Sequence, residues 1–468
     1  MAKVIVIGAG ISGLTAAHTL MRQGHEVLVL EQSEHAGGAI GTWQDDSFLF
    51  ENGPNSFLDN APDTLALCDE LGLENQILKQ SMRGNARYLF LNGKLQEVPT
   101  GPGGLYKTEI LTAQAKRGLF MEPLRKANRS RDDESLASFI RRRLGPEVLD
   151  NMVTPFVSGV YAGDPAKLSL RASFPMLYDL EREYGSLLGG MIRRNMGKKK
   201  NDKPKKPRAK NLCSFIAGMQ ALPDAIKDEL GENFWPCNTL NKVEQLPNGR
   251  WQVHAHGIDD YTQEADAIVA AVPSDETARL LAEHIPGSAG YLQEIPYNKV
   301  VVACAAYPKN AVEHPCQGFG YLVPRGQNVR ILGSVWSSSL FPLRAPGGHH
   351  AFTIFLGGSL DPTVYDLSDD EIREVVKRDL HTTVGAQGDP TVWRVVRWPR
   401  AIPQYPIGHI EKVEALHQEL QRHPGLRICG NFVEGISVND CIRNARETAN
   451  QLHQWLAQST PQTQESVA

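Results

Sequence analysis

An α/β protein is predicted by three features of the sequence. Short β-branched runs stand at the start, middle and end of the chain, and a glycine-rich turn directly follows the first of them. A long helical stretch is also set apart from a segment of alternating apolar and polar residues. The 468 residues exceed the ~250–300 at which a single core stops growing, so several lobes are expected. A content of 41% hydrophobic and 22% charged residues is that of a globular chain built around packed cores. The net charge of −4 gives no global attraction to nucleic acid or acidic lipid.

Residues 4–7, Val-Ile-Val-Ile, fit a buried parallel strand. The turn Gly8-Ala9-Gly10-Ile11-Ser12-Gly13 follows, then a helix over 14–22 that Gly24 closes, then a second strand over 27–30 ending at Glu31. Residues 266–273 read as another strand and turn, with a helix over 275–282; 426–429 is a last short strand and 440–456 a long helix. Strands from such distant segments predict one discontinuous nucleotide-binding lobe, drawn from 1–84, 211–272 and 395–456. Residues 100–210 carry mostly helical patterns, as at 135–144 and 147–157. Residues 85–99 and 273–394 form a lobe with an antiparallel sheet, marked by the alternation over 295–355. The Lys-, Arg- and Pro-rich run at 198–210 and the polar tail at 457–468 bury too little apolar surface to order, and both are expected to be disordered.

Cys68, Cys213, Cys237, Cys304, Cys316, Cys429 and Cys441 form no CxxC pair, and no histidine cluster has zinc spacing. Reduced thiols, no disulfide and no metal are expected, as in a cytoplasmic protein. No apolar run reaches the ~18 residues of a membrane-spanning helix, and residues 4–7 lead into a glycine turn instead of a signal-peptide cleavage site. The chain is therefore expected to be soluble or attached to one membrane face.

The glycine turn carries the first chemistry. Gly8 permits the tight turn, Gly10 lets the backbone approach a pyrophosphate, and Gly13 lets helix and strand pack closely. The helix N-terminus offers free N–H groups and the positive end of its dipole to phosphates. Glu31, about 20 residues on, can accept ribose hydroxyls and disfavours a 2′-phosphate. A dinucleotide is therefore expected. Two further small-residue segments, Gly37-Gly38-Ala39-Ile40-Gly41 and Glu51-Asn52-Gly53-Pro54-Asn55-Ser56, suit a long extended cofactor. The segment Gly430-Asn431-Phe432-Val433-Glu434-Gly435-Ile436-Ser437-Val438 lies between a strand and a helix and can reach a ribityl-phosphate arm. These additions favour FAD over NAD.

These segments resemble the flavin amine oxidase superfamily. The likeness is nearest to the oxygen-dependent protoporphyrinogen oxidases of haem and chlorophyll synthesis, in their plant and cyanobacterial branch. It is sharpened by Gly159-Val160-Tyr161-Ala162-Gly163-Asp164-Pro165, Phe319-Gly320-Tyr321-Leu322-Val323-Pro324, Phe341-Pro342-Leu343-Arg344-Ala345-Pro346 and Ala401-Ile402-Pro403-Gln404-Tyr405. It runs from Met1 to about residue 456. Ala39 stands where amine oxidases carry arginine, Gly430-Asn431 where many flavoproteins carry Gly-Asp, and the 198–210 run has no counterpart in family chemistry.

The resemblance implies a Rossmann-type FAD-binding lobe, a substrate lobe with an antiparallel sheet, and a helical lobe facing a membrane. It implies oxidation of protoporphyrinogen IX to protoporphyrin IX, with O2 returning as hydrogen peroxide. It places non-covalent FAD on Gly8, Ala9, Gly10, Ile11, Ser12, Gly13, Glu31, Gln32, Gly38, Ala39, Gly53, Pro54, Asn55 and Ser56. Val243 would meet the adenine through its backbone, and Asn431, Ile436, Ser437 and Val438 would line the ribityl and ring system. Arg87 would pair with a propionate, where a guanidinium fork matches a carboxylate. Leu322, Val335, Phe355 and Phe319 would wall the macrocycle, and the Gly163 carbonyl would face its pyrrole N–H groups. The flavin carries the hydride chemistry, so no catalytic side chain is expected. Leu187-Leu188 and Met191-Ile192, beside Arg193 and Arg194, suit a membrane-interfacial patch.

Coproporphyrinogen III is the nearest alternative substrate; its extra propionates want more basic residues than Arg87 alone. From another class, a non-catalytic binding protein of the GDP-dissociation-inhibitor type uses a similar fold, but the intact 430–438 segment argues against it. A homodimer, and docking of a ferrochelatase or an upstream coproporphyrinogen oxidase, are left open.

Overall fold

The computed structural model describes residues 1–128, 132–197 and 211–459. Five parallel strands form one sheet, in the spatial order Phe234–Trp235, Glu26–Leu30, Lys3–Ile7, Ala267–Ala270 and Leu426–Ile428. Their side chains alternate between two covered faces. Val4, Val6, Val27, Val29, Ala267 and Val269 pack under the helices Ile11–Arg22, Ala221–Leu230 and Val438–Ser459. Ile5, Ile7, Leu28, Leu30, Ile268 and Ala270 face an antiparallel meander of Thr239–Gln245, Trp251–His256 and Asp260–Ala265. Burial on both faces is why these strands read as unbroken apolar runs. Each buried Val or Ile contributes about 1.5–3 kcal/mol over its exposed state.

A seven-stranded sheet makes the second lobe. Its order is Val392–Pro403, Tyr297–Pro308, His349–Gly357, Gly333–Trp336, Gly320–Leu322, Arg87–Leu91 and Lys94–Glu97. The helix Asp369–Val384, closed by a Ser368–Glu371 capping box, covers the face carrying Val301, Ala303, Tyr321, Trp336, Phe352 and Ile354.

Several sequence expectations need correction. The sheet is antiparallel as expected except where Gly320–Leu322 runs parallel to Arg87–Leu91, a strand supplied from far upstream by a long crossover. Residues 395–403 hydrogen-bond into this sheet against Tyr297–Pro308, so the lobe boundary at 395 falls within a strand. The helices Ser274–Leu281 and Pro286–Glu294 pack behind the parallel sheet through Ala278, Leu281, Ile285 and Leu292, so the boundary at 273 lies too early. The C-terminal helix continues through Ser459, past the boundary drawn at 457. The 198–210 run and the tail beyond 459 lie outside the described residues.

Residues 101–197 form the helical lobe. Helical structure over 147–157 holds and extends to Tyr161, with a π turn at Leu149–Val153 just before Pro155. Proline lacks the N–H for one bond of the ladder, and the wider turn accommodates its ring. At the lobe's centre Arg143 and Glu122 are fully buried and paired. Glu122 also accepts from Ser186 Oγ at 2.7 Å and from the N–H of Leu187 at 2.9 Å, which caps the helix Leu187–Gly197. This anchoring buries Leu187 in the lobe's core and removes it from the expected interfacial patch, leaving Met191 and Ile192 exposed. Among the described residues no helix is long and apolar enough to cross a membrane.

Arg143→Met strands the Glu122 carboxylate in the core. Loss of one partner of a buried pair costs about 3–5 kcal/mol, so urea melts should show a drop of that size. An unchanged midpoint would mean that Glu122 has another compensating partner.

Candidate active site

Parallel strands leave their carboxyl ends at one edge of the sheet, where a crevice opens between strands whose connections run to opposite sides. The helices Ile11–Arg22 and Val438–Ser459 both start at this edge and pack on one face. Ser12 and Cys441 stand one in each first turn. Gly10 caps the first helix without a side-chain acceptor, and the first turn holds no acidic residue, so the helix itself supplies nothing to offset its dipole end.

The glycine turn is shaped by close approach. Gly8 has φ +97°, and a Cβ on Gly13 would overlap the Gly8 carbonyl, so helix and strand meet there without side chains. By contrast, a Cβ on Gly10 would meet nothing within 4 Å, which leaves room over the helix end. The Glu31 carboxylate is drawn toward the same turn: Oε2 accepts from the Ala9 N–H at 2.7 Å, and Oε1 from the Ser33 N–H at 2.8 Å. Gln32 beside it is exposed.

Gly37 bridges to Gly10 and donates to the Ala9 carbonyl at 2.8 Å, which lays Gly38 and Ala39 across the turn. Gly53 lies directly against the Ala39 carbonyl, bringing Pro54, Asn55 and Ser56 to the same crevice. From the other side the 430–438 segment arrives, with the Asn431 carbonyl accepting from Tyr405 and Ser437 capping the last helix through Asp440 N–H at 3.1 Å. Ile436 and Val438 complete that edge. A helix end with no acidic residue in its first turn, an open position at Gly10, a carboxylate at the turn and a second backbone arm fit an extended dinucleotide. Val243 lies in the meander on the other face of the sheet, with its side chain in the core and its carbonyl accepting from His284 Nε2 at 3.2 Å; the chain leading to it is tied to the Glu31 carbonyl by the Asn238 N–H at 2.8 Å.

Register gathers the expected substrate residues. Leu322 pairs with Gly333 and Gly333 with Phe355, while Gly320 pairs with Val335. Leu322, Val335 and Phe355 therefore share the sheet face opposite the helix Asp369–Val384. Val335 and Phe355 cluster with Phe319, Leu340 and Phe341. Leu322 abuts Gly159 of the helix Thr154–Tyr161, so the helical lobe borders the same space. Arg87 is exposed at the strand start, its guanidinium 5.4 Å from the Phe319 ring centroid, and it makes no salt bridge among the described residues. Gly163 is buried, but the left-handed residue of its turn is Ala162, at φ +49°. A Cβ at 163 would meet Gln404 Oε1, the tip of a side chain whose Nε2 donates to the Tyr161 and Ile402 carbonyls.

One pair carries no role in the sequence reading, although Glu51 and Arg344 both stand in quoted motifs. Both are buried, at 3% and 1% exposure, and Arg344 Nη2 approaches Glu51 Oε1 to 3.4 Å. Burial pushes the Glu51 carboxyl up from 4.5 to about 7, against the help of Thr42, Arg344 and the Met219 N–H. The signal available in sequence was an arginine and a glutamate inside apolar runs, which does not show that the two meet. Among the described residues no metal-ligand cluster occurs.

Two outcomes are expected here. Gly13→Ala forces a Cβ into the Gly8 carbonyl and should yield protein without flavin absorbance; retained yellow colour would place the cofactor elsewhere. The fold favours protonated Glu51, so that stabilisation is full below pH 4.5 and fades as pH rises to about 7. Melting temperatures of Glu51→Gln across that window should lack this slope; an identical pH profile would show that Glu51 titrates normally.

Comparison with known proteins accords with this geometry. The chain spans 97% of its length against the chloroplastic protoporphyrinogen oxidase of Oryza sativa subsp. japonica, at 34% identity and 89% of that relative. It is 29% identical to the coproporphyrinogen III oxidase of Bacillus subtilis (strain 168), covering 94% of this chain and 95% of that one. A crystal structure of a protein from Exiguobacterium sp. 255-15 shares the fold with a TM-score of 0.81 at 22% identity, over 97% of this chain and 99% of that one. The model of the flavin containing amine oxidoreductase family matches residues 11–453. The chain thus belongs to the flavin containing amine oxidoreductase family and is an FAD-dependent oxidoreductase.

Proposed function

We propose that the protein oxidises protoporphyrinogen IX to protoporphyrin IX in tetrapyrrole synthesis, with dioxygen as acceptor and hydrogen peroxide as co-product. The observation that carries this is the pairing of one unpaired cation, Arg87, with the apolar face of Leu322, Val335 and Phe355. A porphyrinogen is a bulky apolar macrocycle with carboxylates at one side, and this arrangement complements both parts. The resemblance to plant relatives supports the same reading.

FAD, held by the glycine turn, the 37–39 and 53–56 segments and 431–438, supplies the hydride acceptor. The chain's own residues bind and orient. Arg87 fixes the propionate edge, the apolar wall holds the ring and excludes water, and the buried Gly163 turn presents backbone to the pyrrole nitrogens. No side chain is assigned as general base. Burial pushes the Cys429 thiol up to about 12 and the Cys441 thiol up to about 11, which disfavours either as a nucleophile and supports non-covalent FAD. Exposed Met191 and Ile192 beside Arg193 and Arg194, with exposed Tyr106, Phe120, Met121 and Leu124 also on the helical lobe, suit peripheral contact with an anionic membrane face.

Purified protein in air, given protoporphyrinogen IX and coproporphyrinogen III in parallel, should develop porphyrin fluorescence much faster with the first and release peroxide alongside. Preference for coproporphyrinogen III overturns the substrate and keeps the flavin chemistry. Arg87→Leu removes a charge-assisted hydrogen bond worth about 1.5–3 kcal/mol, so KM should rise roughly 10- to 100-fold. An unchanged KM removes Arg87 from the site.

A further inference from the structure

Arg344 knits three chain segments at the junction of cofactor lobe and substrate sheet. Its Nη2 donates to Ser214 Oγ at 2.8 Å and to the Phe215 carbonyl at 3.0 Å, and its own carbonyl accepts from the Leu49 N–H at 3.1 Å. The guanidinium lies 5.5 Å from the Phe341 ring centroid. Across from it, Glu51 is fixed by Thr42 Oγ1 at 2.7 Å and the Met219 N–H at 3.1 Å, and leads directly into the cofactor segment at 53–56. A small cavity lies between them, lined by Leu49, Asn55, Val335, Leu340 and Phe341. One wall is thus a cofactor segment and the other the apolar cluster expected to hold the macrocycle. Leu343, just before Arg344, is exposed and has φ +68°, a left-handed conformation costly for a leucine. Backbone held in that state shows the turn to be over-determined by its anchors.

We propose that Arg344, set by Glu51, is a positioning residue of the porphyrinogen site: it acts through Phe341 to hold the substrate wall at a fixed gap from the cofactor segment. This rests on the substrate reading above. Replacing a buried pair by apolar groups is often neutral or stabilising, so stability alone does not account for the arrangement. The guanidinium reaches Ser214, Phe215 and Glu51 through Nη2 and the Ile216 carbonyl through Nη1 at 3.4 Å, two nitrogens held in one plane, a geometry that lysine does not reproduce.

The test uses full-length, FAD-loaded wild type, Arg344→Lys, Arg344→Met, and Arg344→Met combined with Glu51→Gln. Arg344→Met should raise the protoporphyrinogen KM about tenfold with kcat within about twofold, and acrylamide should quench the bound flavin more strongly. The double variant, with no ionisable carboxyl left in the core at this junction, should regain thermal stability but neither the low KM nor the shielded flavin. It also carries the test if Arg344→Met does not fold. Arg344→Lys should recover only part of the KM. Wild-type KM in Arg344→Met, or KM recovering together with the melting temperature in the double variant, would reduce the pair to a structural role. If the wild type oxidises no porphyrinogen, the substrate reading falls alone. Flavin quenching in the double variant then still decides: raised quenching upholds the held gap, and unchanged quenching overturns it.

Discussion

Burial of one parallel sheet on both faces constrains everything else in this molecule. With helices packed on Val4, Val6, Val27 and Val29, and a meander and helices on Ile5, Ile7, Leu28 and Leu30, the sheet has no free face for a ligand. Its carboxyl edge is where the chain is free to be irregular. Four separate segments end there, at Gly8–Gly13, Gly37–Ala39, Gly53–Ser56 and Gly430–Val438. The same edge collects the N-termini of two helices, so the site's electrostatics follow from the packing.

The second sheet solves a different problem. The substrate proposed above asks for one broad apolar face turned toward the neighbouring lobes. The helix Asp369–Val384 takes up one face completely, through Ile372, Val376 and Leu380. The alternate positions, Leu322, Val335 and Phe355, are left turned toward the helical and cofactor lobes. A one-residue slip of any of these strands would exchange the two faces, so pairing register decides which residues form the apolar wall.

Buried charge appears where lobes or segments must meet in one arrangement. Glu122 gathers Arg143, Ser186 and the end of the helix Leu187–Gly197 within the helical lobe. Glu51 and Arg344 do the corresponding work between the two sheets. Apolar packing tolerates small shifts, whereas an unpaired buried charge does not, so such pairs favour a single geometry over a family of near neighbours.

What the sequence determined by itself was local. The glycine turn, Glu31, the short strands and the helices that follow them are set by steps of a few residues, in which backbone sterics and side-chain period act directly. The resemblance carried the substrate residues, and register brought Leu322, Val335 and Phe355 to one face. Tertiary structure alone decided matters that depend on contacts between distant segments. Residues 395–403 joined the seven-stranded sheet because their partner, Tyr297–Pro308, lies about a hundred residues away, beyond any local pattern. Helices at 274–294 settled behind the parallel sheet because that face needed covering. The left-handed turn fell on Ala162 and not on Gly163, which packs against Gln404 from a remote strand end. Glu51 met Arg344 across 293 residues, an encounter that no spacing or periodicity encodes.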